Sequence, residues 1–240
     1  RLALGKLMEP LLHWYGGKRR IASEVWNALG SVDRYIEPFA GSAAVFLARK
    51  HIRGREVLND VDGYLINFWR AVQDDAEGVA ALLQSPISEV DLIARKRIFV
   101  ERGGSIVQAL QADPDYYHRK LAAWWFHGHC ASVGNRWLRP NEIPNQFLPA
   151  MDSRPITDRV KELLAVQQRL TDVFLLCGEW QRTVGSDKVL FNGTSNVGVF
   201  LDPPYATEDR ESSIYAQDDP LVAVSVKRWC VEHGDDPRLR

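Results

Sequence analysis

The chain has 240 residues, 45% of them hydrophobic and 25% charged, with a formal net charge of −1. This is the composition of an ordinary globular protein with enough apolar residues for a sizeable core. The balanced charge excludes a protein that coats nucleic acid with a basic surface, so any contact with such a partner is local.

The three cysteines, Cys130, Cys177 and Cys230, are odd in number and lack CxxC spacing. That argues against a disulfide framework and a zinc cluster, and fits a reducing cytoplasm. No apolar run reaches the roughly 18–20 residues of a membrane span, and no signal-peptide pattern stands at the N-terminus. A first residue of Arg1 is expected of a processed or partial chain.

In chain order, the first distinctive segment is Trp14-Tyr15-Gly16-Gly17-Lys18. Its glycines free the backbone to wrap a ligand, Lys18 offers a cation to a carboxylate, and Trp14 offers an apolar wall. A glycine turn before a helix starting near Arg20 accounts for it equally well. Arg34–Glu37 and Glu56–Asn59 read as strands, and Ala43–Lys50 between them as a helix with a basic last turn. Strand, small-residue turn, helix and strand make a βαβ unit, hence a parallel sheet covered by helices.

From about Arg95 to Lys161 the chain changes character: 11 Lys or Arg face 6 Asp or Glu, and Trp124, Trp125 and Trp137 are interspersed. Residues 95–159 are expected to form an insertion with a helical core of its own. The catalytic domain is then made of residues 1–94 and 160–240. Val160, Leu163, Leu164, Gln167 and Leu170 form one helical stripe, followed by a strand over Val173–Cys177. A fourth strand, Val197–Leu201, is apolar throughout and is expected to lie centrally in the sheet. The polar stretch Ala206–Pro220 reads as a mobile loop, and a helix is expected near Leu221.

Four segments carry chemistry. Asp202-Pro203-Pro204-Tyr205 follows the apolar strand, and its two prolines force the chain out of the sheet with a stiff backbone. A carboxylate and the Pro203 carbonyl are thereby presented together. The lone pair of an aromatic amine is delocalised into its ring, and two N–H bonds to these acceptors favour a tetrahedral, nucleophilic nitrogen. Tyr205 is suited to stacking on a base taken out of a duplex. Four residues alone also fit a plain strand-to-loop corner.

Pro38, Phe39, Ala40, Gly41 and Ser42 form a small-residue turn without the GxGxxG of dinucleotide sites. Asp60 ends the next strand 19 residues after Gly41, the spacing at which an acid reaches a ribose hydroxyl. Together they point to a nucleoside-bearing cofactor without a pyrophosphate. Glu179 and Trp180, after the strand ending at Cys177, either meet an adenine amine and ring or serve as a turn residue and a core residue. No metal is required; His127, His129 and Cys130 lack a fourth ligand in sequence.

WYGGK at 14–18, EPFAGSAAVF at 37–46, LND at 58–60 and LDPPY at 201–205, in this order, resemble the Dam-like DNA adenine N6-methyltransferases. The resemblance implies a Rossmann-like α/β domain with an inserted helical target-recognition region. It implies S-adenosylmethionine as cofactor and double-stranded DNA as substrate, with a monomeric enzyme in a bacterial or phage-type cytoplasm. Residues matching Trp14, Lys18, Asp60 and Asp202 then contact the cofactor or stand at the catalytic edge. Arg119, Lys120, Arg136 and Arg139 are expected on DNA phosphates.

The resemblance also implies further strands after the helix near Leu221, so the sheet is expected to be incomplete at its C-terminal side. Cytosine N4, a protein glutamine amide, and an inactive DNA-binding relic are the alternatives to adenine N6.

Overall fold

The computed structural model describes residues 8, 11–12, 18–49, 55–84, 88–131, 156–204 and 220–240. They form two compact units, one of residues 1–10, 17–61 and 172–240, the other of residues 11–16 and 62–171. The segment expected as an insertion, 95–159, lies within the second.

The first unit is built on four parallel strands, β1 (Arg34–Glu37), β2 (Arg55–Asp60), β3 (Val173–Cys177) and β4 (Val197–Val199), in the order β3-β2-β1-β4. The register pairs Ile36 with Val57 and Val199, and Asp60 with Cys177. The α/β class and the parallel sheet agree with the sequence.

Alternation along β1 sends its side chains to opposite faces. Ile36 joins Val57, Trp180, Val184, Leu190, Phe191, Val197 and Val226 in one apolar cluster. On the other face Tyr35 lies against Trp26 of α1 (Ala22–Leu29), ring centroids 4.6 Å apart. Trp26 Nε1 donates to Val45 O of α2 (Ala44–Leu47) at 2.7 Å, tying the two helices together.

Three boundaries differ from the sequence reading. The helix expected over Ala43–Lys50 ends at Leu47, because the Arg49 guanidinium turns inward to Glu56 (2.9 Å) and Val32 O (2.9 Å); Lys50 lies outside the described residues. Strand β2 gains Arg55 and Asp60. β4 stops at Val199, although Phe200 N still bonds Ile36 O at 2.9 Å before the prolines.

Within the four-stranded order β4 is terminal, where a central place was expected. Its outer edge is nevertheless paired: Val197 N donates to Arg238 O (2.9 Å), Arg240 N to Val197 O (2.9 Å) and Val199 N to Arg240 O (3.0 Å). Both edges of β4 thus have backbone partners, and its apolar side chains pack on a face of the sheet, where Val197 joins the apolar cluster with Val199 against it.

The second unit is helical, with α3 (Gly63–Leu83), α4 (Glu89–Ala112), α5 (Arg119–Ala131) and α6 (Ile156–Leu170). α3 is apolar on much of its circumference and packs against α5, α6 and α4. Phe68 stacks on Phe126 at 5.1 Å and meets Trp125 at 5.6 Å, so the aromatics of 95–159 share their core with α3. Asp62 caps α3 by accepting from Tyr64 N and Leu65 N, and Ser88 and Asp91 form a capping box on α4. The remaining elements, α7 (Gln181–Val184), α8 (Asp187–Phe191) and α9 (Pro220–His233), belong to the sheet unit. No helix among the described residues is long and apolar enough to cross a membrane.

Candidate active site

Parallel strands all end on one side, and here the carboxyl ends of β1, β2 and β4 lead to Ser42, Asp60 and Asp202, three of the polar side chains singled out in the sequence. Asp202 follows β4 by three residues and is half-buried with Pro203 and Pro204. Its Oδ2 lies 2.9 Å from Lys18 Nζ, and the two side chains are 22% and 18% exposed. Segments from opposite ends of the chain thus meet in one ion pair. Tyr205 lies outside the described residues, as do Trp14, Tyr15, Gly16 and Gly17.

The turn after β1 is held by β2. Gly41 N donates to Asp60 Oδ2 at 2.9 Å, and Ala40 N donates to Asn59 O at 2.9 Å. Gly41 has φ 48°, in the left-handed region where a glycine carries no Cβ penalty. Pro38, Ala40, Gly41 and Ser42 are buried and Phe39 is half-buried, so this turn presents backbone to a ligand. One oxygen of Asp60, expected at a ribose, therefore also clamps the turn.

After β3, Gly178 (φ 146°) turns the chain and its N–H donates to Asp60 O at 3.0 Å. Glu179 is exposed next to it. Trp180 is 4% exposed and packs in the sheet's apolar cluster, 6.2 Å from the Phe39 ring and 6.4 Å from Trp229. Its Nε1 has no hydrogen-bond partner among the described residues.

Two residues here were not singled out for function in the sequence. Glu37 is 2% exposed, and burial pushes its carboxyl group up to about 8. Hydrogen bonds from the Tyr35 hydroxyl (3.0 Å) and the Phe46 backbone act against that rise, and the charges of Asp202 and Asp60 add to it. Asn59, fully buried, donates from Nδ2 to both Pro38 O and Gly178 O at 2.9 Å. Both lie within the motifs EPFAG and LND. The available signal was an acid or amide inside a buried strand, where a polar group needs a partner.

In the helical unit, Arg119 forms an ion pair with Asp75, whose Oδ1 also accepts from Gly78 N. Lys120 Nζ and the Arg95 guanidinium lie 4.7 and 5.1 Å from the Trp124 ring centroid. Arg136 and Arg139 lie outside the described residues. His127 Nε2 contacts Leu83 O at 3.0 Å and its Nδ1 contacts Arg95 at 3.2 Å, so both ring nitrogens have protein partners.

Residues 14–219 match the family of D12 class N6 adenine-specific DNA methyltransferases. The chain is 30% identical over 217 residues to the Type II methyltransferase M.MjaIII of Methanocaldococcus jannaschii, covering 86% of this chain and 72% of that protein. It is 26% identical over 225 residues to a DNA adenine methylase of Haemophilus influenzae, covering 85% of this chain and 66% of the relative. Against a DNA N-6-adenine-methyltransferase of Escherichia phage P1 it is 24% identical over 195 residues. That match covers 81% of this chain, which spans only 24% of the phage protein.

Proposed function

Because the chain belongs to the D12 class N6 adenine-specific DNA methyltransferases, we propose that it transfers a methyl group from S-adenosylmethionine to the N6 amine of adenine in double-stranded DNA. It acts as a monomer in a bacterial or phage-type cytoplasm. The observation that carries this reading is the Lys18–Asp202 pair beside the turn that Asp60 clamps.

The residues suit this donor. S-adenosylmethionine carries a sulfonium, an ammonium and a carboxylate. Asp60 and Asp202 lie close enough to Glu37 to raise its carboxyl group further, and their two carboxylates favour a cation, whereas a pyrophosphate would be repelled. Lys18 matches the donor carboxylate. The exposed Glu179 offers an acceptor to a nucleoside. When bound, the donor supplies a methyl group activated by a sulfonium leaving centre.

Lys18 holds Asp202 Oδ2 and so orients the carboxylate. We assign Oδ1 to the first N–H of the adenine amine and the Pro203 carbonyl to the second. The stiff Asp202-Pro203-Pro204 backbone fixes the angle between these acceptors, an orientation the transition state needs and water does not supply. Asp202 is placed to hold the proton that the nitrogen sheds after methylation. Tyr205 stacks on the flipped base. Arg119, Lys120, Arg136 and Arg139 engage phosphates, which set register without reading sequence.

Incubation with tritiated S-adenosylmethionine and duplex DNA, followed by nucleoside analysis, tests the proposal. Label in N6-methyladenine is expected. Label confined to methylcytosine or to protein would overturn the acceptor, and a folded chain that does not bind the donor in calorimetry would overturn the enzyme reading.

A further inference from the structure

β2 is the strand that pairs with both β1 and β3, so a side chain at its carboxyl end can reach the turns that follow each neighbour. Asn59 does so. Its Nδ2 donates at 2.9 Å to Pro38 O in the turn after β1 and at 2.9 Å to Gly178 O in the turn after β3. The first turn carries Phe39 to Ser42, and the second leads to Glu179 and Trp180. Both carbonyls need a donor, so the amide can point only one way.

That orientation leaves Asn59 Oδ1 buried and without a hydrogen-bond partner among the described residues. An unpartnered buried acceptor offsets much of what the two bonds contribute to folding. The side chain is therefore a poor device for stability and a good one for geometry. We propose that Asn59 is a positioning residue that fixes the spacing between the β1 and β3 turns, and thereby sets affinity for the methyl donor. This rests on the reading of that edge as the donor pocket. Asn59 touches neither donor nor acceptor; it acts through the Pro38 and Gly178 carbonyls.

Asn59→Asp keeps the shape and replaces the amide donor with an oxygen. Assayed at alkaline pH, where a buried carboxyl group is ionised, two protein carbonyls face a carboxylate and the turns separate. Donor and DNA affinities are measured by calorimetry with S-adenosylmethionine and a duplex, and KM and kcat by tritium transfer, on folded protein at matched concentration.

The expected result is a loss of donor affinity of about tenfold or more, because the two turns are no longer preorganised at the spacing the donor needs. It appears in donor KM, while kcat at saturating donor and DNA affinity stay within about twofold of the parent. Lowering the pH protonates the new carboxyl group, restores one donor and recovers part of the affinity; the parent shows no such recovery. Asn59→Ser, with one donor on a shorter arm, gives a smaller loss in the same direction and is the variant measured if Asn59→Asp does not fold.

Donor affinity within about twofold of the parent in a folded variant overturns the inference, as does an equal loss of donor and DNA affinity. Failure of both variants to fold also overturns it, since Asn59 would then support the sheet rather than the pocket. A parent protein that does not bind the donor overturns the underlying reading instead.

Discussion

Asp62 and Ser88 in the helical unit and Asn59 and Asp60 in the sheet unit are all short polar side chains bonded to nearby backbone groups, yet they serve different ends. The helical pair satisfies the orphan N–H groups of helix starts, and the core of that unit joins the aromatics Phe68, Trp69, Trp125 and Phe126 to buried polar residues, Asn67, Lys96, His127, His129 and Arg169 among them. Asn67, the buried amide of that unit, spends both ends of its amide group on the His118 backbone (2.7 and 3.2 Å). In the sheet unit Asn59 leaves one atom without a partner among the described residues, and Glu37 is buried near two other carboxylates. The comparison sets polar groups that cap helices beside polar groups that hold two strand-end turns, at the edge proposed to bind the donor.

The largest effect that would sharpen this contrast is at Asp202. Asp202→Ala is expected to lower kcat about a thousandfold, the scale of removing a transition-state hydrogen-bonding group, while thermal unfolding barely changes because the residue is half-buried. Loss of stability in proportion to activity would break the contrast. The reciprocal change is Phe68→Ala in the helical core, expected to destabilise by about 3–5 kcal/mol in denaturant unfolding. A catalytic loss in variants that remain folded would show that the helical core does more than pack.

Glu37→Gln probes the sheet edge through pH. The folded state holds the Glu37 proton up to about pH 8, whereas an unfolded chain releases it near the ordinary glutamate value of 4.5. Between those limits the folded state binds more protons, so this group makes stability fall as pH rises. The glutamine variant should lose that slope, as read from unfolding midpoints across the window; an unchanged slope would mean the carboxyl group is solvated.

The smallest expected effect lies on the helical unit. Lys120→Ala should reduce the salt dependence of duplex binding by about one counterion. Arg119→Ala should reduce it by less, because Asp75 already holds that guanidinium. Equal slopes for the two variants would show that the Asp75 pair opens when DNA binds.

Local chemistry was legible before any coordinates. Two prolines after an apolar run end a strand wherever they occur, so Asp202 at a sheet edge could be read directly, as could the small-residue turn at Gly41 and the strand ending at Cys177. The place of β4 was harder to read: an apolar sequence reports that the faces of a strand are covered, but not where the strand stands in the sheet order. The inward turn of Arg49, which ended α2 early, likewise depends on Glu56, a residue on another strand.

What the sequence by itself determined is which chemical groups are present and where strands stop, because backbone preference acts over a few residues. The tertiary structure decided which of those groups meet. Lys18 beside Asp202, Asp60 beneath Gly41, and Asn59 between Pro38 and Gly178 are products of the β3-β2-β1-β4 order, which aligns the carboxyl ends of strands distant in sequence. Burial then supplied what no residue carries alone. It turned Glu37 from an ordinary acid into one that keeps its proton to about pH 8, because a charge removed from water must find a partner or disappear.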